Sequence, residues 1–369
     1  MYAADHLLPW LDALREALPP FDLVDAHLHV GLSDPAGYQA TPDEVVEALE
    51  LADASGIVFP VGSSEGYRAG NDTALELAAE HPDRLVALAR VEPSSAVDEA
   101  ARCLELGARG LKLHPRGDGF DLADERLDDL FALADERRLP IVVHAGVGST
   151  GLGDTAAARA RANPGARLVL AHCAIGAFEE IVPHVHEVAN LFLDTSWWNP
   201  SDLWAAYRMV PPGQLVHASD VPFNSPVQGA LMSGRLALQA GLTEGDACRV
   251  LGSTARCLVD GADLPDPGAL PPNAAPLAPE LERLYVTLCS AVVPMLAGEA
   301  PGEGLELAKV ACRARSEAHD HVLEAVGRLL ALSEEITEPD PLRPLRTPGF
   351  DVVLTAALVA RTPDVPVVG

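Results

Sequence analysis

The sequence predicts an α/β chain folded as a (β/α)8 TIM barrel with a C-terminal helical extension. Eight short β-branched runs recur through its first two thirds, stretches of helical character separate them, and histidines or acids stand at the ends of several runs. The runs are LVDAHLHV (23–30), IVFPV (57–61), LVALARV (85–91), GLKLH (110–114), IVVHAG (141–146), LVLAHC (168–173), LFLDT (191–195) and QLVHASD (214–220). Corresponding points lie roughly 22 to 31 residues apart, room for one crossover helix each. A doubly wound open sheet would need another strand count and usually a Gly-rich first turn, whereas here the first strand ends in histidines.

The intervening segments carry helix signals of their own. In TPDEVVEALELADAS, Thr41 is placed to cap, Pro42 suits the first turn and Glu44 completes a capping box. After the eighth run, PVQGALMSGRLALQAG reads as the last barrel helix and LTEGDACRVLGSTARCLVDG as a further helix beneath or beside the barrel. The barrel domain is thus bounded at 1–261. A Pro-rich linker follows at 262–280, then a helical domain at 281–369 with apolar residues at helical spacing and no recognisable chemistry.

Composition narrows the function. The 369 residues are 48% hydrophobic and 22% charged, a globular balance with material for a sizeable core. A formal charge of −28, from 26 basic and 54 acidic residues, repels phosphate backbones and anionic lipid, so a small-molecule substrate is expected and neither nucleic acid nor membrane. The opening MYAADHLLPW lacks a basic n-region, and six scattered cysteines without a Cys-x-x-Cys pair suit reduced thiols, so a cytoplasmic location is expected.

The chemistry lies at the strand ends. Alternation in the first strand sends Asp25, His27 and His29 to one side, where they can share an ion. The two other His-x-His pairs, His184/His186 and His319/His321, fall in helical segments, where residues two apart diverge. His144 ends the fifth strand, His172 the sixth and Asp220 the eighth, and in a barrel those ends converge on one face. Four imidazoles and a carboxylate in a desolvated cup suit zinc or another divalent first-row metal; without a cation these buried groups lack partners. His217, three residues before Asp220, points away by the same alternation, and His6 and His81 carry no functional weight.

The motifs DAHLH, GLKLHP, VVHAG, LAHC and ASDVP, in that order over residues 21 to 261, resemble the amidohydrolase superfamily, especially its amidohydrolase-related branch. The resemblance implies a principal metal bound by His27, His29, His144 and Asp220. It implies that His172 assists catalysis in a one-metal site or ligates a second metal, and that Lys112, if carboxylated, bridges two ions. Strand parity places Lys112 and His114 on one face, and an uncarboxylated Lys112 has the alternative of pairing with Asp25 or placing its charge near substrate.

Arg116 is a candidate for holding a substrate carboxylate, and Trp197, Trp198, Asn199 and Phe223 for lining the pocket mouth. The expected activity is hydrolysis: the metal, zinc first, activates a water, Asp220 takes its proton, and His172 stabilises the oxyanion or serves the leaving group, acting on an amide, lactone or ester. Two alternatives stand beside it. One is zinc-dependent non-oxidative decarboxylation of a small carboxylic acid, and the other a barrel kept as a scaffold whose tail from about Leu281 recruits a partner. The tail's apolar faces also suit a homo-oligomer.

Overall fold

Every strand in the computed structural model, which describes residues 3–272, 274–314, 318–340 and 346–368, runs parallel to its neighbours. In chain order they are β1 (Leu23–Val30), β2 (Ala54–Pro60), β3 (Leu85–Ala87), β4 (Ala89–Arg90), β5 (Leu111–Leu113), β6 (Pro140–Val143), β7 (Arg167–Leu170), β8 (Leu191–Asp194) and β9 (Leu215–Val216). β3 and β4 are halves of one stave: Leu88 between them still donates its N–H to the Val58 carbonyl at 2.9 Å. The last stave returns to the first, with Ala26 N–H on His217 O at 2.9 Å and His29 N–H on Val221 O at 2.8 Å. All eight expected runs therefore form staves, consistent with the (β/α)8 reading.

The staves enclose an apolar interior of Val24, Ile57, Leu88, Val142, Val169 and Phe192. Its lower end is plugged by Ala255, Leu258 and Val259 of the helix Thr254–Val259. The sequence suggested one helix in this region; the chain instead runs as Glu244–Cys248, a π turn at Arg249–Ser253, and Thr254–Val259. Gly252 is required inside that turn, because a Cβ there would sit 1.9 Å from the Asp22 carbonyl oxygen.

The helix Pro42–Leu51 opens on the predicted capping box: Thr41 Oγ1 accepts the Glu44 N–H at 3.3 Å and Glu44 Oε2 accepts the Thr41 N–H at 2.7 Å. His184 lies in the helix Phe178–Val185 and His321 in the helix Asp320–Glu335, away from the barrel mouth as their spacing implied.

Beyond the barrel, the Pro-rich segment runs along its surface, with Gly213 N–H on Pro267 O at 2.9 Å. Four helices follow: Pro279–Leu296, Gly302–Ala311, Asp320–Glu335 and Phe350–Arg361. The last is buried over nearly its whole length, chiefly between the extension's own helices Pro279–Leu296 and Asp320–Glu335, and it also touches the barrel helices Pro200–Met209 and Pro226–Gln239. Sequestering Val352, Val353, Leu354, Leu358 and Val359 contributes on the order of 10 kcal/mol before the cost of ordering the segment. Among the described residues no helix is long and apolar enough to cross a membrane.

Candidate active site at the barrel mouth

Strand alternation decides most of what reaches the mouth. In β5 the leucines 111 and 113 pack outward, which turns Lys112 and, by parity, His114 inward. In β6 Val142 faces the interior and His144 follows two residues on; in β8 Phe192 and Asp194 stand in the same relation.

Two staves break the rule. In β1, Val24 and Ala26 pack in the interior cluster whereas Leu28 and Val30 pack in the outer one, because the register with β2 shifts between Asp25 and Leu28. The shift delivers His27 and His29 to the mouth but takes Asp25 off their face. Asp25 Oδ1 accepts the N–H of Ser219 at 2.9 Å and of His27 at 3.2 Å, and burial raises its carboxyl pKa to about 7. The expectation that Asp25 shares the ion, or pairs with Lys112, is thereby corrected: it ties β1 to the stave that carries Asp220.

At β7, Val169 and Ala171 face inward, so simple alternation would send His172 outward. Instead His172 adopts φ +58° and Cys173 φ +51°, a left-handed turn rare outside glycine, which swings the imidazole into the mouth. Asp220 has φ +71°, which an aspartate tolerates better than most residues.

His27, His29 and Asp220 come together. Asp220 Oδ1 lies 3.2 Å from Nε2 of both histidines, and the two Nε2 atoms are 3.2 Å apart. The outer nitrogens fix what faces inward. His27 Nδ1 lies 2.8 Å from Asp194 Oδ2, and His29 Nδ1 3.4 Å from the Pro60 carbonyl, so both carry their proton outward. Two imidazole lone pairs and a carboxylate oxygen therefore converge in a buried space. Burial drives both histidines well below the usual imidazole range, so neither imidazole relieves the convergence by taking up a proton. A divalent cation fits it.

Lys112 Nζ approaches from the side, 3.2 Å from His27 Nε2 and 4.5 Å over the Phe59 ring. Burial lowers its pKa to about 7, against the pull of Asp194 and Asp220.

His144, expected as a fourth ligand, does not join this group; the three residues whose donor atoms lie within 4.8 Å of one another are His27, His29 and Asp220. Its Nδ1 lies 3.0 Å from His172 Nε2, while His172 Nδ1 lies 2.8 Å from the Ser196 carbonyl. His172 thus donates through Nδ1 and accepts through Nε2, His144 Nδ1 donates, and His144 Nε2 is left as a buried lone pair. The His114 ring stacks on His144 at 3.9 Å between centroids, and its Nδ1 accepts the Gly117 N–H at 2.9 Å.

These groups open into a cavity of about 710 Å³, a size suited to a small organic substrate. Trp197, Trp198 and Phe223 line it, with Phe223 against Tyr38 at 4.3 Å and Trp197 Nε1 donating to Asp202 at 2.7 Å. Arg116 lines it while donating to the Val147 carbonyl, and Asn199 caps the helix Pro200–Met209.

Several residues of the site and its wall went unnamed in the sequence reading. Asp194 was legible, an acid ending an inward-facing strand register. Arg90 ends β4 and pairs with Asp118 at 3.1 Å beneath Tyr67, a contact between loops that no local pattern announces. Leu296, Arg346, Phe350 and Leu354 come from the C-terminal extension, which was read as carrying no chemistry, yet they line this same cavity.

Comparison with known proteins places this geometry. A search of curated proteins finds no match to the sequence. Among solved structures, the chain is similar to an uncharacterised TIM-barrel protein of Bordetella bronchiseptica, at 17% identity and TM-score 0.53, covering 65% of this chain and 99% of that one. A protein of Acinetobacter baumannii described as a probable 2-pyrone-4,6-dicarboxylic acid hydrolase, with citric acid bound, matches at 15% identity and TM-score 0.51, covering 65% and 99%. A 2,6-dihydroxybenzoate decarboxylase complexed with 2,6-dihydroxybenzoate matches at 14% identity and TM-score 0.50, covering 66% and 99%. At such identities these likenesses establish the fold. The amidohydrolase family model, however, matches residues 24–260, the stretch that supplies every stave and all the converging donors, and on that match the chain belongs to the amidohydrolase family.

Proposed function

We propose that this chain is a metal-dependent hydrolase cleaving a carbonyl-type bond, an amide, lactone or ester, of a small molecule. The observation that carries the reading is the convergence of His27 Nε2, His29 Nε2 and Asp220 Oδ1, each 3.2 Å from the other two. These residues would hold one divalent cation, zinc by the nitrogen and oxygen character of the donors. Such an ion lowers the pKa of a bound water and polarises a carbonyl.

The chain's own groups supply the rest. Asp220 is open to the cavity, and burial raises its affinity for a proton, which suits a base receiving one from the nucleophile. Its Oδ2 lies 3.9 Å from His172 Nδ1. His144 Nε2 is free to accept a proton or hydrogen bond from the reacting group, and its Nδ1–H already points at His172 Nε2, so the pair can pass a proton inward. Uncarboxylated Lys112 supplies a donor beside the ligands; a carboxylated Lys112 with His172 would instead build a second metal position.

Non-oxidative decarboxylation of a small acid is the second reading, favoured by the three arginines, Arg90, Arg116 and Arg346, on the cavity wall. Turnover in 18O-labelled water with a panel of lactones, amides and aromatic acids separates the two. Label in the product acid supports hydrolysis, and release of carbon dioxide without label overturns it in favour of decarboxylation.

A further inference from the structure

His114 lines the cavity that His29, His144 and Asp220 also line, and neither the metal site nor the proton path uses it. It follows β5, two residues after the inward-facing Lys112, so strand parity delivers it to the mouth. What its ring presents there is decided by the residues around it.

After His114 the chain turns at once into the short helix Pro115–Asp118, which brings the Gly117 N–H to His114 Nδ1 at 2.9 Å. Glycine permits that approach, since a Cβ at 117 would stand 2.8 Å from Nδ1 and 3.0 Å from Cε1. A main-chain N–H only donates, so Nδ1 is the acceptor and carries no proton. The ring is therefore neutral, and its single proton sits on Nε2. A second contact fixes the plane. The ring stacks on His144 at 3.9 Å between centroids and 11° between planes, and His144 is itself held through Nδ1 by His172 Nε2 at 3.0 Å.

The Nε2–H of His114 has no partner among the described residues, and the ring stands half-buried on the cavity wall. Neighbouring donors are spent within the protein: the Tyr67 hydroxyl on Asp118 at 2.5 Å, Trp197 Nε1 on Asp202 at 2.7 Å and His172 Nδ1 on the Ser196 carbonyl at 2.8 Å. A donor already held in one orientation gives up little freedom when a ligand oxygen meets it.

We propose that His114 is a substrate-binding residue whose Nε2–H donates to a carbonyl oxygen of the substrate, and that Gly117 holds the ring in that tautomer. The donor is uncharged, so it selects a lone pair and not a negative charge. This rests on the proposed function only in taking the cavity as the substrate site.

Calorimetric titration of the full-length protein with acetophenone tests it, because that ligand offers one carbonyl acceptor, no charge and no bond to hydrolyse. Its control is α-methylstyrene, in which a CH2 group replaces the oxygen. His114→Asn places an oxygen where Nδ1 stood, which keeps the Gly117 contact and removes the outer donor, whereas His114→Gln places an amide NH2 where Nε2 stood. A neutral hydrogen bond is worth roughly 3- to 10-fold in affinity. His114→Asn should therefore weaken acetophenone binding by about 3- to 10-fold and α-methylstyrene binding by less than about 2-fold, and His114→Gln should recover part of the loss. Equal acetophenone affinity in His114→Asn and the wild type, equal weakening of both ligands, a His114→Gln no better than His114→Asn, or no acetophenone binding by the wild type overturns the proposal.

Nitrogen spectra of wild-type protein labelled with 15N-histidine provide the second measurement. The resonance that His114→Gln deletes should report the Nε2–H tautomer and move when acetophenone is added. An Nδ1–H tautomer or an unmoved resonance overturns the proposal, and this spectrum decides if His114→Asn does not fold by circular dichroism. Elemental analysis of the same preparations separates the result from the metal reading. Dependence on His114 in a protein that never held metal supports the donor and removes the metal-dependent mechanism; metal retained with no dependence on His114 does the reverse.

Discussion

Asp194 Oδ2 lies 2.8 Å from His27 Nδ1, while its other oxygen accepts the backbone N–H of His172 at 2.9 Å. One buried carboxylate therefore fixes the tautomer of the imidazole that faces His29 and Asp220 and pins the left-handed turn that brings His172 into the mouth. Asp194→Asn places an amide NH2 where an acceptor is needed, or gives up one of the two contacts. The expected result is a roughly 10- to 100-fold loss of metal affinity with the far-ultraviolet spectrum retained, measured by competition with a chromogenic chelator. Unchanged affinity would show that the His27 tautomer is held by something else.

Asp220→Asn should abolish turnover and leave most of the fold, because the residue sits at the mouth and not in either apolar cluster. A variant turning over at the wild-type rate would remove Asp220 from the mechanism.

Removal of metal should also be visible in stability. A cation at about 100 times its dissociation constant adds roughly 2.7 kcal/mol to the folded state, a fall of several degrees in Tm on chelation. Elemental analysis should give one ion per active chain; two would place Lys112 and His172 among the ligands.

Arg235→Met tests how the extension is held. It leaves the carbonyls of Thr362, Val365 and Pro366 without their shared donor at a cost of about 3 kcal/mol or more. Limited proteolysis should then cut within the C-terminal helices before the barrel, and cleavage kinetics matching the wild type would show that apolar packing alone secures them.

The acid limb of stability should depend partly on Glu99, whose hydrogen bonds from Arg102 and Asn71 lower its carboxyl from the usual 4.5 to about 2 despite some burial. A carboxylate with a depressed folded pKa stabilises fully above its unfolded value and loses that contribution as pH falls from about 4.5 towards 2. Urea midpoints of Glu99→Gln should fall less steeply across this window than those of the wild type, by about 1 kcal/mol for a half-buried pair near the surface. Asn71 also holds the backbone of Arg90, so the variant should leave the cavity wall slightly looser.

The strands, their order and the identity of His27, His29, His144, His172 and Asp220 as mouth residues were legible from the sequence. A run of β-branched residues ending in a histidine or aspartate announces both the stave and the group it presents. Lys112 and His114 were legible for the same reason, since period-two alternation holds through β5. Asp25 was misplaced because a register shift resets that alternation. Arg346 was beyond reach because nothing in its local sequence says which surface a loop some 125 residues after Asp220 will meet.

By itself the sequence determined the barrel, the histidines and aspartate it offers to a metal and the face on which they lie, because repeating hydrophobic periodicity is a local property that each segment carries with it. Only the tertiary structure decided which donors meet. The irregularity in β1, the left-handed turn at His172 and the anchoring of the last helix by Arg235 each reposition side chains through contacts between distant segments, and no residue encodes such a contact alone.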